Sequence, residues 1–296
     1  MRKETELAVI GAGPAGVSAA LYAHRAGRRV CVLYRGLGTS SLARAEGIEN
    51  YYGMSEPVTG AVLERRGIEG AARIGVPFEK ADVMGIRLTD AMDGYIIETD
   101  SGEVRAKAVV LATGTSRKTL SLPGLAAFNG KGVSYCAICD AFFYRGKTVA
   151  VLGAGAYAWH EAQDLKPHAG KLYLLTNGEQ PSFSVPDWME VRTEKLEAIV
   201  GEGRVQRVAF AGGGSLPVDG VFVALGTAGS TELARKAGIL LEGNAIRVNA
   251  DMATNMPGLF AAGDATGGLL QVAKAVCDGA RAGLSAVQYL RKHGKT

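Results

Sequence analysis

Six residues near the N-terminus, Gly11-Ala12-Gly13-Pro14-Ala15-Gly16, restrict the fold of this chain more than any other feature. They stand between an apolar run at 6–10 and a helix-forming stretch that reaches residue 26, and a second apolar run follows at 29–34. G-x-G-x-x-G in that setting has a physical cause: the first glycine makes the strand-to-helix turn, the second admits a pyrophosphate, and the third lets helix and strand pack closely. Amides at the helix start then face the phosphates. The pattern predicts a βαβ unit that binds a dinucleotide. The acid that commonly holds the ribose at the end of the second strand is missing, and Tyr34 and Arg35 occupy its place as the candidate adenosine-side residues.

The same pattern returns once. A strand at 148–152 leads into Gly153-Ala154-Gly155-Ala156-Tyr157-Ala158, a helix to about 165 and a strand at 171–175. Between the two units, a buried strand at 108–111 ends in Ala112-Thr113-Gly114, and the stretch to Pro123-Gly124 reads as a crossing between domains. Runs at 207–211 and 221–224 are expected to complete a small sheet in the second domain. Near the C-terminus, Leu259-Phe260-Ala261-Ala262-Gly263-Asp264 reads as a strand ending in Gly-Asp, followed by an apolar helix over 271–291 that brings the chain back to its first domain. The fold class is α/β, with two Rossmann-like, three-layer nucleotide-binding domains. Glycine, 41 of 296 residues, is about twice its usual ~7% share, as tight turns and close backbone approaches require.

A formal charge of +4 is too small and too scattered for a nucleic-acid footprint. Residues 7–23 carry no charge, but Gly11, Gly13, Pro14 and Gly16 break them, and Glu4 and Glu6 stand where a signal peptide would be basic. A cytoplasmic protein is expected, without nucleic-acid or membrane partners. Four cysteines are too few for a disulfide scaffold, but Cys136 and Cys139 form C-x-x-C. Such a pair can close a disulfide and exchange it through thiolate attack, a helix starting there favours the thiolate, and Asp140 can relay the proton. Zinc would want further ligands, and no second pair is available, so no metal is expected. Cys31 and Cys277 read as packed thiols, and the dispersed His24, His160, His168 and His293 as mostly solvated. The helix face around Lys274 and Arg281 reads as wet surface.

Taken together, G-x-G-x-x-G, A-T-G, Cys136-Ala137-Ile138-Cys139-Asp140 and Gly263-Asp264 resemble the low-molecular-weight thioredoxin reductases along essentially the whole chain. The stretch from Gly132 to Arg145 carries the most specific likeness, and Ile48-Glu49-Asn50-Tyr51-Tyr52-Gly53 adds to it. The resemblance implies a homodimer with FAD in a discontinuous domain, residues 1–116 and 246–296. A pyridine-nucleotide-type domain, residues 117–245, is inserted and carries the redox disulfide. It assigns the FAD pyrophosphate to Gly11, Gly13, Ala15 and Gly16, with Pro14 in the same cofactor-binding turn, the ribityl chain to Asp264 beside Gly263, and the flavin side to Asn50, Thr113, Gly114 and Gln271. It also implies that Cys139 exchanges electrons with flavin, that Cys136 attacks the thioredoxin disulfide, that Asp140 manages protons, and that Phe142 and Phe143 lie on a loop touching thioredoxin.

One region departs from that family. Where NADPH-dependent members carry arginines for the 2′-phosphate, this chain reads Leu174-Leu175-Thr176-Asn177-Gly178-Glu179, and an acid there repels phosphate. Tyr157 and Trp159 add bulky rings to the second glycine turn, and residues 177–191 are too broken by prolines for the usual helix. These features resemble the ferredoxin-dependent flavin thioredoxin reductases, which implies reduced ferredoxin as donor. Arg25, Arg28 and Arg29, or Arg65 and Arg66, would suit an acidic carrier. The alternative is a thioredoxin or other disulfide reductase with a different donor, such as NADH with Glu179 on the ribose or another flavoprotein, and a flavin-binding redox sensor is the non-enzymatic alternative.

Overall fold

Parallel strands need long crossovers, and the alternation of short apolar runs with glycine turns and helices supplies them. The computed structural model describes residues 3–114, 120–226 and 229–293. In chain order the first part gives β1 (Lys3–Ile10), α1 (Pro14–Arg25), β2 (Val30–Tyr34), α2 (Gly60–Arg73), β3 (Phe78–Lys80), β4 (Val83–Leu88), β5 (Tyr95–Thr99) and β6 (Gly102–Leu111). The middle gives β7 (Val133–Ser134), α3 (Ala137–Asp140), β8 (Thr148–Leu152), α4 (Ala156–Leu165), β9 (Lys171–Leu175), β10 (Met189–Arg192), β11 (Leu196–Val200), β12 (Arg207–Phe210), β13 (Ser215–Pro217) and β14 (Gly220–Val223). The last part gives α5 (Ser230–Lys236), β15 (Leu241–Glu242), β16 (Ala245–Ile246), β17 (Leu259–Ala261) and α6 (Val272–His293).

The chain divides into two units, Met1–Ser116 with Gly229–Thr296, and Arg117–Ala228. The first expected boundary, between residues 116 and 117, lies outside the described residues. The expected return at 246 comes too late. Residues from 229 onward already belong to the first unit, because α5 packs on β4 and on β16.

In the first unit the sheet runs β3-β2-β1-β6-β5-β4. The long β6 also takes β17 beside its C-terminal half, since β5 pairs only with its first half, Gly102 to Ala106. Ile10 is in register with Leu33 and with Leu111, and Leu111 with Ala261. The turns after β1, β6 and β17 therefore leave the sheet at one edge, the carboxyl edge where ligands of open α/β sheets bind. Helices α1 and α6 cross with almost no side chain between them: a Cβ on Gly279 would lie 2.0 Å from the Ala15 carbonyl oxygen, and one on Gly283 2.5 Å from that of Ala19. Ser18 Oγ donates to Val276 O at 2.8 Å across the same seam.

In the second unit a five-stranded parallel sheet runs β10-β9-β8-β14-β7, and a separate antiparallel sheet runs β11-β12-β13. The runs at 207–211 and 221–224, expected in one sheet, fall in different ones. Periodicity alone could not separate them, because pairing partners are chosen by long-range register. Residues 177–188 form no helix. Residues 7–23 are a strand, a turn and part of a helix, and no helix of the described residues is long and apolar enough to cross a membrane. Cys31 is half-buried, but Cys277 is exposed on α6 and not packed as expected, because its helical neighbours Ala275, Asp278 and Ala282 take the inner face. His24, His160 and His168 are half-buried and less solvated than expected, with His24 Nε2 2.9 Å from Ile74 O and His160 Nδ1 3.5 Å from Asp164, whereas His293 is exposed.

Candidate active site

The nucleotide turn of the first unit is built by close backbone approach. Gly11 has φ +108, and a Cβ there would lie 2.4 Å from the Ala112 carbonyl oxygen. A Cβ on Gly16 would lie 1.8 Å from the Gly11 carbonyl oxygen, whereas the Cβ direction of Gly13 opens onto free space. The chain is thus compressed where strand meets helix and open where a pyrophosphate would lie. Gly13 caps α1 with no side-chain hydrogen bond, Pro14 opens the helix, and no acid stands in the first turn. Its amide ends are left for an anion.

The other expected residues gather along the same edge. A Cβ on Gly263 would lie 2.8 Å from Ala15 Cβ, placing the Gly263–Thr266 3-10 turn against the nucleotide turn. Asp264 on it is half-buried, and burial pushes its carboxyl above the ordinary 3.8; Lys274 opposes the rise and Asp278 adds to it. Asn50 Nδ2 donates to Gln271 Oε1 at 3.1 Å, joining residues 221 apart in sequence. Gly114, with φ +68, accepts a hydrogen bond from Ser230 Oγ. The Thr113 hydroxyl is buried and finds no partner among the described residues, an orphan that a bound ligand would satisfy. Tyr34 packs edge-on against Phe78 at 5.8 Å, and Arg35 is exposed. Open glycine, helix amides, orphan hydroxyl and carboxylate together fit a flavin dinucleotide.

In the second unit β7 delivers the chain to Cys136, which is bonded to Cys139 with their Cα atoms 5.4 Å apart. Cys136 is the N-cap of α3 and is 2% exposed, while Cys139 is exposed. The expected division of labour gives the attack on thioredoxin to Cys136 and the flavin exchange to Cys139; of the two, the structure buries Cys136 and exposes Cys139. Two residues that sequence reasoning missed hold the disulfide turn. Ser134 Oγ donates to Asp140 Oδ2 at 2.7 Å and accepts from Cys136 N at 3.1 Å. Glu161 on α4 is fully buried, and its Oε2 accepts from Ala137 N at 2.6 Å. Tyr157 Oη donates to Tyr135 O at 3.3 Å and ties the same helix to the approach to Cys136. Ile138, Phe142 and Phe143 are each more than 60% exposed beside Cys139, an apolar surface of the kind a protein partner covers.

The second glycine turn keeps its close packing: a Cβ on Gly153 would lie 2.2 Å from the Ala224 carbonyl oxygen. The chain closes over it. Ser182 N donates to Ala154 O at 2.8 Å, and the Trp159 ring stacks with Phe183 at 5.2 Å and Trp188 at 5.8 Å. Of the rings singled out in the sequence, Tyr157 turns inward and Trp159 forms this stack. Arg192, in register with Leu175, is held by Glu194 at 3.0 Å and lies 4.9 Å from the centre of the Phe210 ring.

A glycine-turn unit with an orphan hydroxyl and a half-buried carboxylate, and a second unit carrying a C-x-x-C disulfide whose Cys139 is exposed, define a class. The family described as pyridine nucleotide-disulphide oxidoreductase matches residues 5–279, and the chain belongs to it. A thioredoxin reductase of Listeria innocua is 30% identical over 303 residues, 97% of this chain and 94% of its own. The solved structure of the atypical thioredoxin reductase from Desulfovibrio vulgaris Hildenborough is 36% identical with a TM-score of 0.89, covering 97% of this chain and 98% of its own. A ferredoxin-flavin thioredoxin reductase from Clostridium acetobutylicum is 32% identical with a TM-score of 0.74, covering 99% and 100%. Within the family the chain is a flavoprotein oxidoreductase of the thioredoxin reductase type, with FAD as its cofactor.

Proposed function

We propose that the protein reduces thioredoxin through Cys136 and Cys139, with electrons reaching FAD from reduced ferredoxin and not from NADPH. The observation that carries the donor assignment is the second glycine turn, over which residues 182–188 close with the Trp159 stack. The strand end beside it reads Thr176-Asn177-Gly178-Glu179, without the guanidinium forks that a 2′-phosphate wants. The likeness to the ferredoxin-flavin enzyme of Clostridium acetobutylicum, 32% identical over 99% of this chain, supports the same donor class. Bound FAD supplies the step that a dithiol cannot, accepting electrons singly and passing a pair to a disulfide.

What the chain's own residues do follows thiol chemistry. Two electrons and two protons open the Cys136–Cys139 bond to two thiols. A thiolate of the pair attacks the thioredoxin disulfide, forming a mixed disulfide and releasing one thioredoxin thiol. The other cysteine then attacks the mixed bond, so that the enzyme disulfide reforms and thioredoxin leaves as a dithiol. Asp140, held by Ser134 beside the pair, is the residue that exchanges the protons. Ile138, Phe142 and Phe143 form the surface that receives thioredoxin. The named arginine patches contribute less than their charge implies, because Arg28 and Arg29 share Glu6 and Arg65 pairs with Glu69.

Gly11, Gly13, Pro14, Ala15, Gly16, Thr113 and Asp264 hold FAD in this reading, with Asn50, Gly114 and Gln271 on the flavin side, Gly263 shaping the turn, and Tyr34 and Arg35 near the adenosine. The active form is a homodimer in the cytoplasm, the oligomeric state being open to light scattering. Anaerobic titration with NADPH, NADH and reduced ferredoxin, followed by flavin absorbance near roughly 450 nm, tests the donor. Bleaching by ferredoxin alone is expected, and rapid bleaching by either nicotinamide overturns it. A Cys139→Ser protein that still passed electrons to thioredoxin would sink the disulfide route. Ferredoxin-driven turnover should fall steeply with salt.

A further inference from the structure

Lys274 sits on the helix face read in the sequence as wet surface, yet the structure gives its ammonium four close oxygens. It donates to Gly263 O at 2.9 Å, Thr266 Oγ1 at 2.9 Å and Gly267 O at 2.7 Å, and it pairs with Asp278 Oδ2 at 2.8 Å. Asp278 is 7% exposed, and the same oxygen accepts from Gly263 N at 3.2 Å and Thr266 Oγ1 at 3.4 Å. The segment they grip carries Asp264 between residues of great backbone freedom: Gly263, Gly267 and Gly268 all have φ between +71 and +74. Such glycines allow the turn its shape but do nothing to hold it. Lys274 ties together the carbonyls at both ends of the turn, and Asp278 fixes its first amide.

We infer that Lys274 and Asp278 are positioning residues for the flavin, an ion pair on α6 that fixes the Gly263–Gly267 turn and so aims the Asp264 carboxylate at the ribityl chain. The assignment rests on Asp264 as the ribityl contact and is independent of the electron donor. Charge as well as geometry is involved. The elements packed against the turn are α6, α1 and β16; α1 and β16 present Ala15 and Ala245, and the charged groups that act on Asp264 are Lys274 and Asp278 of α6. Burial raises the Asp264 carboxyl, Lys274 lowers it and Asp278 raises it. Loss of Lys274 leaves the two carboxylates facing each other, so Asp264 takes a proton at higher pH and loses the strong acceptor character that a ribityl hydroxyl finds in a carboxylate.

The test uses purified holoenzyme and reads FAD release on dilution, by the rise in flavin fluorescence, across pH. Lys274→Met is expected to weaken FAD retention at least about tenfold and to move the acid limb of retention to higher pH. Asp278→Asn alone also loosens the turn, but it moves that limb to lower pH. The double variant Lys274→Met/Asp278→Asn returns the limb toward its original position, because neither charge remains. Retention by Lys274→Met within about twofold of wild type, or a loss equal at every pH and unrelieved in the double variant, overturns the inference. Asp264→Ala separates the two levels: if FAD is retained unchanged without Asp264, the ribityl assignment itself has failed. If Asp264→Ala releases FAD and Lys274→Met does not, only the positioning role is wrong.

Discussion

Replacing glycine by alanine inside a helix ordinarily stabilises it by up to about 1 kcal/mol, and at Gly279 the sign should reverse. The added Cβ would lie 2.0 Å from the carbonyl oxygen of Ala15, 2.8 Å from its carbonyl carbon and 2.9 Å from its Cα. Ordinary carbon contacts are about 3.5–4.0 Å, so the overlap exceeds about 1 Å and is against backbone that has no rotamer to change. Helix α6 must lift from α1, opening a seam whose Ala15, Ala19, Ala275, Ala282 and Ala286 are all buried. Overpacking of this kind costs about 1–3 kcal/mol and occasionally more. Taking the upper end and subtracting the helix gain leaves about 2 kcal/mol, or a fall in Tm of about 4–8 °C for a unit of this size. Ala15 belongs to the nucleotide turn, so FAD retention should fall in parallel. Gly70 on α2 is the control: a Cβ there meets nothing within 4 Å, and Gly70→Ala should hold or raise Tm. Thermal unfolding of both holoproteins, with flavin release monitored, decides the matter. A Gly279→Ala protein melting at or above wild type would refute the close-approach account.

Three further outcomes are expected. Thr113→Val removes a buried hydroxyl that has no partner among the described residues, so it should leave apoprotein Tm unchanged while weakening FAD retention by about 0.5–1.5 kcal/mol, measured by flavin fluorescence on dilution. Trp159→Ala deletes two ring contacts worth about 0.5–1.5 kcal/mol each, and calorimetry should show the second unit destabilised by about 2 kcal/mol; NADPH should still fail to bleach the flavin, since no arginine is restored. Glu6 has its carboxyl below the ordinary 4.5: burial pushes it up, but the Arg29 amide and the Arg28 guanidinium outweigh that. Its stabilisation is therefore complete above 4.5 and is lost as pH falls through the lower folded value. Glu6→Gln should remove about 1 kcal/mol at neutral pH and flatten the acid limb below 4.5 in urea unfolding followed against pH.

Much of the site was legible because its parts are local. Gly11, Gly13 and Gly16 lie within one turn, Cys136 and Cys139 at the start of one short helix, and Gly263-Asp264 at one strand end, so residue type and spacing carry the chemistry directly. The strand boundaries at 148–152 and 171–175 were readable for a related reason: fully buried parallel strands are continuous apolar runs that end where a turn must begin. The missing arginines after Leu175 were equally plain, since a phosphate clamp needs particular side chains at particular places.

Other features depend on partners far apart in the chain. Nothing near Lys274 signals that its ammonium closes on Gly263 and Gly267, and an exposed helix face is the ordinary reading of a lysine there. Glu161 looks like one more helical acid until α4 brings it against the amide of Ala137. Which cysteine faces outward, which sheet takes residues 207–210, and where the chain rejoins its first unit are settled by packing between segments that local patterns do not pair. Short-range sterics and side-chain chemistry set the turns, the disulfide motif and the absence of a basic residue over 174–179, so these could be read along the chain. The ion pair behind Asp264, the ring stack over the second turn and the burial of Cys136 were decided only by tertiary structure, because each comes from contacts that exist only once distant segments have packed together.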